Sequence, residues 1–277
     1  MANFTAADVK ALREETGAGM MDVKNALVEA DGDKDKALEI IRLKGLKSLS
    51  KREGREATAG LIVAEVSEDG KNGVMIEVNS ETDFVSKSQK FIDFANEVLA
   101  AAVAADAQDV EAVLAAPAGD GTVQDLVDNM GAVIGEKIGV RRIARVSGDN
   151  VGLYLHRTNP DLPPQLGVFV VTDENAKDVA RDIAMHIAMY RPGWLDRDSV
   201  PAEVADKERD TLTKLTLQDG KPEAIVPKIV EGRMNAFYKE NCLVDQDFAK
   251  DPSLTVGKVL AGKNGKVTEF VRYQVGA

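Results

Sequence analysis

The segment Glu77-Val78-Asn79-Ser80-Glu81-Thr82-Asp83-Phe84-Val85-Ser86-Lys87 joins an apolar strand to the start of a helix. The strand is Val74-Met75-Ile76-Glu77-Val78, whose apolar residues have the pattern of a buried strand, and a short polar turn follows it. Thr82 or Asp83 is the predicted N-cap of the helix, which places Phe84 in the first helical turn. A strand followed directly by a capped helix predicts a mixed fold of helices and sheets.

The lone aromatic of this segment, Phe84, has two possible roles. As a hydrophobic staple, it would pack the start of the helix against the sheet. As an exposed anchor, it would bind a partner protein, because a few rigid aromatic side chains supply much of the energy of protein recognition. The local sequence fits both roles.

The composition favours a globular protein that binds another protein. The 277 residues and the 44% hydrophobic content are enough for roughly two domains with their own cores. The formal net charge of −11 argues against a nucleic-acid partner, because a basic surface is needed to displace counterions from phosphates. Neither a signal peptide nor a membrane-spanning apolar run is recognisable, and the single cysteine, Cys242, permits no internal disulfide. We therefore expect a cytoplasmic protein without a membrane partner.

The sequence lacks the common signals of an enzyme or a metal site. Its two histidines, His156 and His186, form no cluster with cysteine at the spacing of zinc ligands. No dinucleotide-binding, Walker or nucleophile-elbow motif is present. His186 lies in a strongly apolar helix and is expected to pack rather than to act as a base, and Cys242 is expected to be an inert packing residue. We expect no bound metal or cofactor and no covalent catalysis.

Residues 1–46 are predicted to form a small domain of three helices. Thr5, with Asp8 three residues later, predicts the start of the first helix, and Gly45 is predicted to end the third. Each helix has one apolar stripe, so the three can share a small core. Residues 47–59 are polar and locally basic, which predicts a solvated linker.

The rest of the chain contains an internal repeat of two α+β subdomains, residues 60–148 and 149–277. Each copy has a hairpin, a helix, a shorter helix and a closing strand. The predicted hairpin strands are 60–66, 73–78, 152–156 and 167–171. The alternating apolar pattern predicts antiparallel sheets with helices on one face, whereas the other face either contacts water or meets the sister sheet.

Residues 201–239 are inserted into the second copy and predict two antiparallel helices. Gly220 is predicted to stop the first helix and Pro222 to open the second, and Pro227 is expected to distort the second helix near its start. The predicted contacts between the two helices join Val204, Leu212 and Leu215 to Ile225, Ile229, Met234 and Phe237. Such a helical hairpin is either a docking element or part of the core.

Two long segments resemble the signatures of the bacterial translation elongation factor Ts family. The first is Leu12-Arg13-Glu14-Glu15-Thr16-Gly17-Ala18-Gly19-Met20-Met21-Asp22-Val23-Lys24-Asn25-Ala26-Leu27, and the second is the segment 77–87 quoted above. The similarity continues through His186-Ile187-Ala188-Met189, Gly220-Lys221-Pro222 and Val230-Glu231-Gly232-Arg233-Met234. It implies an α+β fold with a ubiquitin-associated-like three-helix bundle, a core of two related α+β subdomains with antiparallel sheets, and an inserted helical coiled-coil hairpin.

Members of this family are guanine nucleotide exchange factors for elongation factor Tu, the GTPase that carries aminoacyl-tRNA. The resemblance implies that Thr82, Asp83, Phe84 and Val85 contact the GTPase domain, with the Phe84 ring inserted between two helices near the nucleotide. This contact would displace Mg²⁺ and promote the release of GDP, so that GTP can bind. The resemblance thus favours the exposed role of Phe84, and it implies no nucleotide or metal bound by the factor itself.

The resemblance implies further contacts with the partner. Arg13, Met20 and Met21 would dock the three-helix domain on the GTPase, although at least one of the methionines could pack in the three-helix core instead. His156 would face a distal β domain of the partner. This chain departs from the family pattern after His156, where a longer, proline-containing loop at 157–165 is expected to reshape that contact.

Two other hypotheses fit parts of the sequence. A non-catalytic binding adaptor would hold a peptide or a ubiquitin-like surface on its three-helix domain and would not alter nucleotide kinetics. An enzyme would use Glu77, Glu81 and Asp83 as an acid–base set. These carboxylates span a turn without a fixed mutual geometry, and acidic residues at the start of a helix are ordinary partners of its dipole.

Overall fold

The computed structural model of the chain describes residues 3–48 and 50–277, which adopt an α+β architecture. Residues 1, 2 and 49, which belong to the predicted three-helix domain and linker, lie outside the described residues. The first helices are α1 (Ala6–Thr16), α2 (Met20–Glu29) and α3 (Lys34–Leu46). They share a core whose buried residues include Val9, Leu12, Val23, Leu27 and Ile41. The predicted cap of α1 is confirmed, because Thr5 and Asp8 form a reciprocal capping box.

The predicted end of the third helix is wrong. α3 continues through Gly45 to Leu46. Gly45 lies against α7 (Val123–Ile134), and a Cβ atom on this glycine would be 2.1 Å from the backbone oxygen of Ala132. The glycine therefore permits a close contact between two helices rather than ending one of them.

The polar segment after α3 contacts the first subdomain. It contains a 3₁₀ turn at Ser50–Arg52. The Arg52 guanidinium donates a hydrogen bond of 2.9 Å to the carbonyl oxygen of Gly131, and Arg55 forms a salt bridge of 3.1 Å with Glu81. Two arginines thus hold this segment against the core, although residues 47–59 were predicted to be a solvated linker.

Each half of the remaining chain forms an antiparallel three-stranded sheet, and both sheets have the same topology. The first sheet has the strand order β1 (Ala59–Val66), β2 (Asn72–Ser80), β5 (Gly139–Ser147). The second has the order β6 (Asn150–His156), β7 (Leu166–Thr172), β10 (Val267–Gln274). In each sheet the closing strand pairs with the second strand of the hairpin, as a repeated unit requires.

Helices cover the outer face of each sheet, and the inner faces pack against each other. The first sheet is covered by α5 (Gln89–Ala104), α6 (Val110–Ala115) and α7, and the second by α8 (Ala180–Tyr190) and α11 (Val256–Ala261). Along β1, Leu61 and Val63 face the helices, whereas Ile62 faces the second sheet beside Phe169. The second face of each sheet therefore meets the sister sheet, which was one of the two predicted alternatives.

Short elements complete the two subdomains. They are α4 (Asp83–Ser86), β3 (Pro117–Ala118), β4 (Gly121–Thr122), β8 (Asp247–Phe248) and β9 (Asp251–Thr255). Of these, α4 carries Phe84.

The inserted segment forms α9 (Ala202–Gln218) and α10 (Val226–Asn241), which pack side by side. Gly220 follows α9 with a left-handed φ of 70°, as expected for a residue that stops a helix. The predicted start at Pro222 is wrong, because Pro222 precedes a 3₁₀ turn and α10 begins at Val226. Pro227 lies in the first turn of α10, where its missing N–H needs no partner, so it does not distort the helix.

The contacts within this hairpin were only partly predicted. Leu212 packs against the buried side chain of Met234, as expected, whereas Leu215 and Ile225 are exposed. Ile225 lies in the 3₁₀ turn before α10 rather than in the helix itself. The packed cluster contains Ala205, Leu212, Val226, Val230, Met234, Phe237 and Tyr238.

Candidate protein-binding site

The turn that carries Phe84 is anchored at both sides of the aromatic ring. Thr82 is the N-cap of α4, and its hydroxyl donates a hydrogen bond of 2.6 Å to Glu136. The backbone N–H of Thr82 donates to the other oxygen of the same carboxylate at 3.0 Å. On the other side, Val85 packs against the core of the first subdomain. Asp83 and Phe84 lie between these anchors and are exposed.

The Phe84 side chain is 73% exposed, which contradicts its interpretation as a hydrophobic staple. The Lys87 ammonium lies 4.4 Å from the centroid of the ring, so the ring contacts a cation rather than apolar side chains. Large aromatic side chains are usually buried, and one that a fixed turn presents to solvent is typical of a protein-binding anchor.

Met20 and Met21 form a second exposed apolar group. Their side chains are 55% and 62% exposed, and Arg13 on the neighbouring helix is exposed as well. The core of the three helices is filled by other residues, including Leu12 and Val23. The alternative in which one methionine packs in this core is therefore wrong.

The structure connects these two exposed groups through the end of α7. A Cβ atom on Gly17, just before the methionines, would lie 3.7 Å from the Cγ1 atom of Ile134. Glu136, two residues further on, holds Thr82. The turn before α2 and the turn of Phe84 therefore both lie near the C-terminal end of α7.

His156 belongs to a different surface, on the second subdomain. It is exposed at the end of β6, and its Nδ1 atom lies 2.9 Å from the hydroxyl oxygen of Tyr154. The loop after it folds back on the first sheet, where the carbonyl oxygen of Pro164 accepts a hydrogen bond of 2.8 Å from Ile62. This contact holds the C-terminal end of the loop 157–165 against the first sheet and joins the two subdomains.

An open apolar groove lies beside His156, and its exposed methionines, Met185 and Met189, were missed by the sequence reasoning. Helical periodicity could have found them. Ile183 and Ile187 are buried, and residues two positions further along a helix point to the opposite side. The groove therefore offers a third exposed surface of adaptable methionine side chains.

The three carboxylates of the enzyme hypothesis do not converge. Glu77 is fully buried, and its oxygens accept hydrogen bonds of 2.7 Å from Arg142 and 3.1 Å from Asn79. Glu81 accepts a hydrogen bond of 2.6 Å from the backbone of Lys137. Asp83 is exposed on α4, so each of the three has a separate environment.

His186 and Cys242 are packing residues, as predicted. Both are buried. The Nε2 atom of His186 lies 2.8 Å from Oε1 of Gln246, and Nδ1 accepts a hydrogen bond of 3.1 Å from the N–H of Ala249, so the ring is neutral with both nitrogens engaged. Burial lowers the pKa of His186 and raises the pKa of the Cys242 thiol to about 11, which leaves this thiol unreactive at neutral pH.

Over residues 3–48 and 50–277, no three side chains of His, Cys, Asp or Glu are grouped as a metal site requires. The same part of the chain contains no helix with the length and the apolar character needed to span a bilayer.

Comparison with known proteins identifies the family. The sequence model of the family described as "Elongation factor TS" matches residues 81–277, which include the Phe84 turn. The chain is 54% identical to elongation factor Ts of Beutenbergia cavernae, 55% identical to that of Renibacterium salmoninarum and 56% identical to that of Micrococcus luteus, and each alignment covers 100% of both chains. Because the similarity spans the three helices, both subdomains and the hairpin, this chain belongs to the elongation factor Ts family of translation elongation factors.

Proposed function

We propose that this protein is a guanine nucleotide exchange factor that binds elongation factor Tu·GDP, displaces its Mg²⁺ and promotes the release of GDP, so that GTP can bind. The observation that carries the proposal is the exposed Phe84 ring on an anchored turn. The membership in the elongation factor Ts family supports the choice of partner. The protein itself holds no nucleotide and makes or breaks no covalent bond in this function.

The action of the Phe84 turn would be mechanical and electrostatic. Insertion of the ring between two helices of the GTPase, with the Asp83 carboxylate beside it, would shift the groups that hold Mg²⁺. The cation and the backbone of the phosphate-binding loop supply much of the affinity for the nucleotide. A barrier to release that is lower by about 1.4 kcal/mol makes release tenfold faster. Thr82 and Val85 would hold the turn in place while the ring is inserted.

Thermodynamic linkage explains how such a factor turns over. A partner that weakens the binding of a nucleotide must itself be bound more weakly when the nucleotide is present. GTP would therefore expel the factor from the GTPase. The factor would change the rate at which the nucleotides exchange and leave their equilibrium unchanged.

We assign two further contacts to the same partner. The first consists of Arg13, Met20 and Met21 on the three helices, and the second is His156 with the adjacent methionine groove. We interpret the three helices as a ubiquitin-associated-like domain of residues 1–46, followed by a linker at 47–59. Residues 60–148 and 149–277 would be the two core subdomains, with a coiled-coil hairpin at 201–239. The site of action would be the cytoplasm, where translation takes place.

Stopped-flow release of a fluorescent GDP analogue from purified elongation factor Tu tests the proposal. The measurement compares rates with and without this protein over a range of Mg²⁺ concentrations. We expect an acceleration that saturates with the protein and shrinks as Mg²⁺ rises. Binding to elongation factor Tu without any acceleration would instead support the adaptor hypothesis.

A further inference from the structure

We infer that the three-helix part is fixed on α7, and that Gly45 is the positioning residue that makes the methionine pair and Phe84 one composite binding surface. The inference rests on the proposed function, because both groups are assigned there to the same partner. In this arrangement the methionine pair and Phe84 have a fixed relative position instead of being joined by a flexible linker.

Gly45 lies in the last turn of α3, where it faces α7. Glycine is a weaker helix former than alanine. A Cβ atom at Gly45 would lie 2.1 Å from the oxygen of Ala132 and 2.6 Å from its Cα atom. These are backbone atoms and cannot rotate away as a side chain would. The glycine therefore allows α3 and α7 to touch backbone to backbone.

Two polar contacts with α7, both to residues just before Ala132, support this approach. Arg42 of α3 donates a hydrogen bond of 2.7 Å to the Asn129 side chain. Arg52, just after α3, donates a hydrogen bond of 2.9 Å to the carbonyl oxygen of Gly131. Both acceptors belong to α7, so the two helices are held in register as well as in contact.

A separate contact attaches the first helix. The Lys90 ammonium of α5 donates hydrogen bonds of 3.0 Å and 3.3 Å to the carbonyl oxygens of Thr16 and Glu15. These carbonyls end α1 and have no acceptor role within the helix, and a cation is favourable at that end of the helix dipole. Because the three-helix part is attached through both α1 and α3, it cannot rotate about either contact.

This arrangement places the two proposed contacts together. The turn before the methionines lies against Ile134, and Glu136 fixes the turn of Phe84. Two contacts on one rigid body bind more tightly than the same contacts on a flexible link, because the second does not have to be found by diffusion of a tether. Without the docking on α7, only the linker at 47–59 would set their separation.

The test uses Gly45→Ala and Gly45→Leu in the full chain. Both new residues favour helices, so α3 should remain folded while the contact with Ala132 is lost. Lys90→Met is a second variant, which removes the hydrogen bonds to α1 without adding a clash. Gly232→Ala and Gly232→Leu are matched controls, because Gly232 lies in α10 and a Cβ atom there would meet nothing within 4 Å.

The first readout needs no partner. Backbone ¹⁵N relaxation reports whether amides of α1–α3 tumble together with those of the core. We expect joint tumbling in the unmodified chain and in both Gly232 variants, and faster, independent tumbling of α1–α3 in Gly45→Leu. Independent tumbling in the unmodified chain would overturn the inference.

The second readout is the factor concentration that gives half-maximal release of a fluorescent GDP analogue from elongation factor Tu. We expect Gly45→Leu to raise it about tenfold, as expected for loss of effective concentration. In a Met20→Ala/Met21→Ala background the same substitution should cause no further rise, because the second contact is already absent. An equal rise in both backgrounds, or no rise in either, would overturn the positioning role. Absence of any effect of the unmodified chain on GDP release would instead reject the proposed function itself.

Discussion

Glu136 and Thr82 form a two-point clasp, in which one carboxylate accepts hydrogen bonds from the hydroxyl group at 2.6 Å and from the backbone N–H at 3.0 Å of a single residue. The Thr82 side chain makes no capping bond within its own helix, because its hydroxyl is directed to Glu136 instead. The clasp orders the turn of Phe84 before a partner arrives. Less conformational entropy is then lost on binding.

The variant Glu136→Ala tests the importance of this order. Loss of hydrogen bonds to a charged group should free the turn at a cost of about 1.5 kcal/mol, which corresponds to roughly tenfold slower GDP release from elongation factor Tu. The measurement is stopped-flow release at a subsaturating concentration of the factor.

Two controls accompany this variant. Thr82→Ser keeps both donors and should retain the normal rate. Glu111→Ala removes an exposed carboxylate from α6 and should also have no effect. A normal rate for Glu136→Ala would show that the clasp is not needed to order the turn.

Phe84→Ala should remove most of the exchange activity and leave the fold intact. The ring is exposed, so its loss creates no cavity, whereas truncation of an anchor at an interface typically weakens binding by about 2 kcal/mol or more. We expect GDP release to slow at least about 30-fold, with an unchanged circular dichroism spectrum and melting temperature.

The matched control for Phe84 is Leu217→Ala, which removes another exposed apolar side chain, on the helical hairpin. It should exchange nucleotide at the normal rate. If both variants behave alike, Phe84 has no special role in recognition.

The strands and the repeat could be predicted because their signals are local. Alternation along β1 and β2 directs every second side chain to the helices, and the capping box at Thr5 needs only four residues. The resemblance to the elongation factor Ts family rested on long contiguous segments in the same way. These features depend on residues that are close in sequence.

The errors concern contacts between residues that are distant in sequence. Gly45 has the sequence signal of a helix end, and only the backbone of Ala132 shows that it serves a close approach. The turn that carries Phe84 is held by Glu136, which bonds to Thr82 from 54 positions further along the chain. Pro222 fits the start of a helix, but the 3₁₀ turn at Glu223–Ile225 delays that start. Local sequence carries no information on such tertiary contacts.

Glu77 is expected to stabilise the packing of the two sheets rather than to take part in chemistry. It is fully buried between them, with Arg142 at 2.7 Å and Arg141 at 3.7 Å. Glu77→Ala should remove charge-assisted hydrogen bonds from a buried carboxylate to partly exposed arginines and lower the free energy of unfolding by about 2 kcal/mol. Urea denaturation followed by circular dichroism measures this change.

Glu14→Ala provides the comparison for Glu77→Ala. Glu14 pairs with Lys10 at 3.8 Å on the exposed face of α1, so its loss should change the free energy of unfolding by less than about 1 kcal/mol. Equal effects of the two substitutions would show that the buried carboxylate contributes no more than a surface ion pair.

The buried ring of His186 should make the stability of the protein depend on pH below neutrality. Burial lowers its pKa from the ordinary value of 6.5, so the unfolded chain takes up a proton at a pH where the folded protein does not. The stability contributed by the neutral ring is complete above pH 6.5 and is lost as the pH falls below that value.

The variant His186→Gln tests this pH dependence. Between pH 7 and pH 5, its free energy of unfolding should fall less steeply than that of the unmodified chain. The variant loses the bond to Ala249 at every pH, which changes its stability but not this slope. Carboxylates titrate alike in both proteins, so the difference between their slopes isolates His186. Identical slopes for His186→Gln and the unmodified chain would refute this account.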